Sequence, residues 1–244
     1  MRMIDAHAHL GHWAFPIPNC GTAESLVRMC EKYDMQYCAA SATQALTYDM
    51  QAGNEEMAEA AQAHDPILGY CYANPNFIEQ SVVEMDRYLP LGYFVGVKIH
   101  GGYAACATGD AKMRELMAEI AARTSVVKIH TAGADVPGAL SRHASEHPTL
   151  NIIIAHGLGA AYETAADLAV AHSNIYLDFT CSWAYRGKIE HALATCGAGQ
   201  IVFGTDMDLF EPAFTLGMFE GAGMTEEQSR AVYYDNAARL FGVD

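Results

Sequence analysis

A single (β/α)8 TIM barrel spanning residues 1–244 is the fold this sequence predicts, and three observations predict it. Short apolar runs rich in β-branched residues alternate with longer Ala-, Glu- and Leu-rich stretches of helical periodicity, the rhythm of βα units on a parallel sheet. Eight such runs occur in a chain of 244 residues, a length at which α/β barrels are commonly undivided. No Gly-x-Gly-x-x-Gly follows the first run, whereas the rival doubly wound sheet places that motif at its first turn.

Taken in order, the first strand is MIDAHAH (3–9), followed by a helix over TAESLVRMCEKYD (22–34). YCAASAT (37–43) is the second strand, NEEMAEAAQAHD (54–65) a helix and ILGYCYA (67–73) the third strand. YFVGVKIH (93–100) and SVVKIHT (125–131) are the fourth and fifth strands, separated by the helix DAKMRELMAEIAART (110–124). NIIIAHG (151–157), the helix AYETAADLAVAHS (161–173), IYLDFT (175–180) and IVFGTD (201–206) complete the strand set. The chain closes on TEEQSRAVYYDNAARLFG (225–242), with Thr225 as N-cap and glutamates in the first turn. The tetrapeptide Val-Lys-Ile-His occurs at 97–100 and again at 127–130, one βα unit apart.

Half of the residues are hydrophobic, enough for a large core, and the formal net charge is −15 with a pI near 5.0. So acidic a surface repels nucleic acid and anionic lipid, which leaves small-molecule chemistry. Seven scattered cysteines contain no Cys-x-x-Cys pair, so neither a zinc ribbon nor a redox motif is indicated. Reduced thiols, no leader-like apolar segment and no membrane-length apolar run make a cytoplasmic protein the expectation. Exposed apolar faces would allow a homo-oligomer.

Barrels of this kind carry their chemistry at the C-terminal ends of the strands. There the sequence places His7 and His9 on strand 1, Lys98 and His100 on strand 4, His130 on strand 5, His156 on strand 6 and Asp206 on strand 8. Neutral imidazoles converging with a carboxylate suit zinc and its neighbours. His64, His143, His147, His172 and His191 fall near helix ends, where the helix dipole favours them without any function, and His12 lies in a loop.

In this order, IDAHAHLG, VGVKIHG, VVKIHTAG, IIIAHGLG and FGTDM resemble the strand-end motifs of the amidohydrolase superfamily, and of its amidohydrolase 2 group, which includes aminocarboxymuconate semialdehyde decarboxylase. The resemblance runs nearly the whole length. It implies that His7, His9, His130 and Asp206 bind one divalent metal ion, zinc first among the candidates, with His156 beside it as acid/base or carbonyl-polarising group. Lys98 is the ambiguous residue: in binuclear members the strand-4 lysine is carbamylated and bridges two metals, and a single ion is the preferred reading here. His130 would be the ligand among the two Val-Lys-Ile-His copies, and His100 a substrate contact at the rim. Because adjacent strands contribute to staggered layers, the copies need not occupy equivalent heights. Lys128 points inward, with Asp5 and Asp178 as charge partners by strand parity.

A divalent ion lowers the pKa of the water it binds from ~15.7 toward ~7 and so supplies hydroxide at neutral pH. Asp206 would take the proton from that water, and His156 would polarise the carbonyl or protonate the leaving group of an amide, lactone or ester. The same ligands serve non-oxidative decarboxylation in the resembled enzymes. A Schiff-base lyase using Lys98 or Lys128 is the metal-free rival, and a barrel that merely keeps a structural ion is the non-catalytic one. Specificity would come from the loops, through Trp13 and Phe15 after strand 1, Tyr103 after strand 4, and Trp183 and Arg186 after strand 7.

Overall fold

All eight predicted strands form, and they join into one parallel sheet in sequence order, as seen in a computed structural model that describes residues 2–18, 20–131, 136–180 and 184–244. The elements are β1 (Met3–Leu10), α1 (Ala23–Lys32), β2 (Met35–Ala42), α2 (Thr43–Thr47), α3 (Met50–Ala63), β3 (Ile67–Tyr72), α4 (Ile78–Tyr88) and β4 (Phe94–His100). They continue with α5 (Ala111–Ala121), β5 (Val126–His130), α6 (Val136–Glu146), β6 (Asn151–Ala155), α7 (Tyr162–Ala171), β7 (Ile175–Asp178), α8 (Lys188–Thr195) and β8 (Ile201–Val202). Helices α9 (Pro212–Gly221), α10 (Glu226–Arg230) and α11 (Asn236–Phe241) end the chain. The segment after β8 closes the sheet onto β1 through Ala6 N to Phe203 O (2.8 Å), Asp206 N to His7 O (2.7 Å) and His9 N to Met207 O (2.5 Å). The result is a (β/α)8 barrel.

The core has two parts, as a sheet buried on both faces requires. Ile4, Ala6, Leu68, Tyr70, Val95, Val126, Ile153, Tyr176 and Val202 fill the barrel, and Tyr234, Ala237, Leu240 and Phe241 pack against them. A larger shell outside it, including Val97, Ile99, Val127, Ile129, Ile152 and Ile154, meets the helices. The membrane question has a plain answer: no helix among the described residues is long and apolar enough to cross a bilayer.

Two expectations are corrected. β6 stops at Ala155, short of the predicted 157, because His156 (φ 67°) and Gly157 (φ 54°) adopt left-handed backbone that no strand accommodates. β8 covers only Ile201–Val202 of the predicted 201–206, with Asp206 (φ 62°) left-handed at the end of that segment. The predicted C-terminal helix begins at its Thr225 cap, yet is interrupted by a π turn over Ala231–Asp235. Within that turn Val232 O accepts Phe203 N at 3.1 Å, so one helical carbonyl is diverted to the barrel. The two Val-Lys-Ile-His copies stand at the same height. Val97, Lys98, Ile99 and His100 pair in register with Val127, Lys128, Ile129 and His130.

Candidate active site

Strand alternation brings His7 and His9 onto the inner face of β1, and both are buried. Asp206 meets them from the turn after β8: its Oδ1 lies 3.0 Å from His9 Nε2 and 3.5 Å from His7 Nε2. One ligand atom from each of the three residues falls within 4.8 Å of the others. Asp206 Oδ1 is buried and has no aligned hydrogen bond.

The outer faces of the rings explain this arrangement. His7 Nδ1 is 2.5 Å from Asp178 Oδ2, so Nδ1–H donates to the carboxylate and the Nε2 lone pair faces Asp206. His9 Nδ1 approaches Ser41 Oγ at 3.3 Å, which turns its Nε2 inward as well. Carboxylate-oriented imidazoles of this kind are characteristic of metal ligands. Burial also holds both imidazoles below their ordinary pKa, hence neutral at pH 7. Burial alone would raise the Asp206 carboxyl, but the contact with His9 and the nearby charges outweigh it and bring it down to about 2. Two imidazole nitrogens and one carboxylate oxygen therefore converge within 4.8 Å of one another, and the triplet fits a divalent cation.

His130 and His156 form a second group beside the first. His156 Nδ1 is 2.6 Å from Thr180 O, and because a carbonyl only accepts, Nδ1 carries the proton. In the neutral ring Nε2 is then a lone pair, and it faces His130 Nδ1 at 3.0 Å. His130 accordingly donates from Nδ1 and keeps its own Nε2 free. The centroid of His156 is 5.0 Å from that of His7 and 4.6 Å from that of His130, so it bridges the two groups. On its other side His130 stacks against His100 at 3.7 Å and 16°, and Tyr103 continues the stack at 4.2 Å. Burial draws His100 down to about 3 and His130 below the ordinary imidazole range.

The two lysines share a register and differ in surroundings. Lys98 Nζ lies 3.4 Å from His7 Nε2, and burial lowers its ammonium to about 8. Lys128 instead donates to Ala6 O and lies 4.5 Å from the centre of the Tyr70 ring, beneath the site. The expected partners of Lys128 are engaged elsewhere: Asp178 with His7, and Asp5 with His7 N, Thr205 N and Thr205 Oγ1.

Among the loop residues, the Trp13 ring meets His9 edge-on at 5.0 Å, and Phe15 stacks on Trp13 at 6.1 Å. Tyr103 and Arg186 are exposed at the rim, and Trp183 lies outside the described residues. Asp178 does feel the Lys128 charge, as strand parity predicts, but its hydrogen bond goes to His7, a partner that parity did not name. Ser41 carried no signal in the sequence.

Close approach of β8 to β1 depends on Gly204. A Cβ there would stand 2.8 Å from His7 Cβ and 3.0 Å from Asp178 Oδ1. Gly204→Ala is therefore expected to destabilise the fold by about 1–3 kcal/mol and to weaken metal uptake. Thermal melts with and without added zinc check this; an unchanged melting temperature in both would contradict it.

The family described as Amidohydrolase matches residues 4–243. No curated protein matches the sequence. Among solved structures, 2,6-dihydroxybenzoate decarboxylase from Rhizobium is similar with a TM-score of 0.76 at 14% identity, covering 99% of this chain and 98% of that one. An uncharacterised TIM-barrel protein from Bordetella bronchiseptica gives 0.80 at 15% identity over 99% of both chains. 5-Carboxyvanillate decarboxylase from Sphingomonas paucimobilis gives 0.78 at 12%, covering 100% of this chain and 99% of that one. At such identities the structures share a fold with this chain.

Proposed function

The chain belongs to the amidohydrolase family, and we propose that within it this metal-dependent enzyme hydrolyses a small amide, lactone or ester in the cytoplasm. The observation that supports this most is the convergence of His7 Nε2, His9 Nε2 and Asp206 Oδ1 with no hydrogen bond to the carboxylate oxygen. These three would hold one divalent ion, zinc by preference, and the Nε2 of His130, which lies outside their 4.8 Å group, would be the fourth donor. Such an ion supplies Lewis acidity, which polarises a carbonyl and makes water acidic enough to deprotonate near neutral pH.

The remaining steps fall to the chain itself. Asp206, ionised at neutral pH, accepts the proton released by the attacking water. His156 is pinned by Thr180 O, and its Nε2 would take up the proton that Asp206 receives from the water and deliver it to the leaving group. Asp178 and Ser41 fix the rings of His7 and His9. Lys98 lies fully buried against His7, where its amine adjusts the field at the ligands; that placement favours this role over a Schiff-base nucleophile. One ion is the reading we adopt, with carbamylation of Lys98 and a second ion as its alternative.

Decarboxylation of a small carboxylic acid is the second reading, favoured by the likeness to two decarboxylases. A panel of lactones, aryl esters, anilides and hydroxybenzoates separates the two. Acid release in a pH-stat with aryl ester, lactone or anilide is the expected result. Carbon dioxide release from the benzoates, with no hydrolysis, would replace it with the second reading.

A further inference from the structure

Trp13 Nε1 and Glu56 Oε2 are both buried without a hydrogen-bond partner, and both stand at the mouth of the candidate site. Position explains why they matter. On β1 the inward positions are His7 and His9, with Gly11 just past its end, and on β2 Ser41, with Thr43 opening α2. His9 and Ser41 already touch. Directly above that pair, where a Cβ on Gly11 would stand, both carboxylate oxygens of Glu56 lie 3.6 Å away, as does Thr43 Cβ. Glu56 therefore reaches from α3 to the end of β1, in van der Waals range of the Cα side of Gly11.

Trp13 comes from the opposite side. Its ring is fixed between the edge contact with His9 and the stack with Phe15, so its N–H has a set direction and no acceptor. Glu56 forms no ion pair among the described residues. Burying a donor or an acceptor unsatisfied is costly, and native proteins keep few such groups unless something binds them. Here one fixed donor stands on His9 and one carboxylate stands by Gly11, two residues further along the chain.

We propose that Glu56 and Trp13 form a recognition subsite for an amine-bearing amide, with the ammonium on the Glu56 carboxylate and the amide oxygen on Trp13 Nε1–H. This deepens the hydrolytic reading and rests on it for the fate of the ligand, though binding can be read without turnover. The acidic protein surface adds a general attraction for cations, so the test must isolate Glu56.

The chain contains two tryptophans, giving two indole N–H signals in a nitrogen–proton correlation spectrum, and Trp13→Phe identifies one of them. Glycinamide is titrated against propionamide, its neutral counterpart of similar size. Glycinamide is expected to shift the Trp13 signal with about tenfold higher affinity. Glu56→Gln should bring it to the level of propionamide, while Glu56→Asp retains part of the preference; an unperturbed spectrum elsewhere shows that each variant folds. No shift with either probe, equal affinities in the wild type, or a preference surviving Glu56→Gln would each overturn the subsite. Acid release without any amine preference leaves hydrolysis standing and the subsite refuted. Amine preference without hydrolysis does the reverse.

Discussion

Asp206→Asn is expected to lower kcat by about 10³-fold or more and to strip most of the metal from the protein, while the barrel stays folded. The carboxylate does two things here. It supplies the anionic donor between His7 Nε2 and His9 Nε2, and it is the base that stays ionised at neutral pH, since its pKa lies at about 2. Asparagine keeps the shape and one acceptor oxygen but loses the charge and the basicity. Its amide can also donate to the imidazoles, which would occupy the lone pairs that an ion needs. Elemental analysis and steady-state kinetics on the same preparation check the prediction, and a variant that keeps both metal and rate would refute the assigned role.

His156→Asn separates chemistry from binding. Asparagine can still donate to Thr180 O, as His156 Nδ1 does at 2.6 Å, so the backbone turn after β6 retains its anchor. What disappears is a nitrogen able to take up and release a proton opposite His130. Loss of an acid/base of this kind costs about 10²–10⁴-fold in rate, whereas metal content should stay within a factor of about two. His130→Ala supplies the contrast: if its free Nε2 is a ligand, that variant loses metal affinity first and rate as a consequence. Retention of activity by His156→Asn, with metal intact, would remove His156 from the chemistry.

The sequence made the barrel legible because its signals are local. Each strand is a short apolar run with a turn after it, and periodicity alone located all eight within a few residues of their observed limits. What it misjudged was where backbone leaves the regular pattern. IIIAHG and FGTD read as continuous strand, but His156 and Asp206 both adopt left-handed φ. Residues held in such conformations are concentrated at functional sites, where surrounding contacts maintain the strain. Here His7 O accepts Asp206 N and Thr180 O holds the His156 ring.

The candidate ligands were legible for the same reason as the strands, since they end them. Their supporting partners were less so. Asp178 lies 171 positions from His7 in the chain and touches it only because the closed barrel puts β7 and β1 on either side of β8. Ser41 and Glu56 reach His9 and Gly11 from elements adjacent to β1 in space. Strand parity names which face such residues occupy, yet the reach of a side chain across the cylinder depends on barrel geometry that no single run encodes.

The same barrel geometry aligned the two Val-Lys-Ile-His copies and then gave them different work. Identical register placed His100 on His130 as a stacked pair. Only Lys98 reaches His7, since Lys128 is held lower by Ala6 O. Equivalent height did not produce equivalent surroundings, because each lysine extends toward whatever polar atom β1 presents to it.

Elemental analysis of untagged protein, before and after chelation, tests the central claim most directly. The account predicts about one divalent ion per chain, activity that vanishes with its removal and returns with stoichiometric zinc, and no such uptake by Asp206→Asn. Protein that takes up no ion yet turns over substrate at full rate would contradict it.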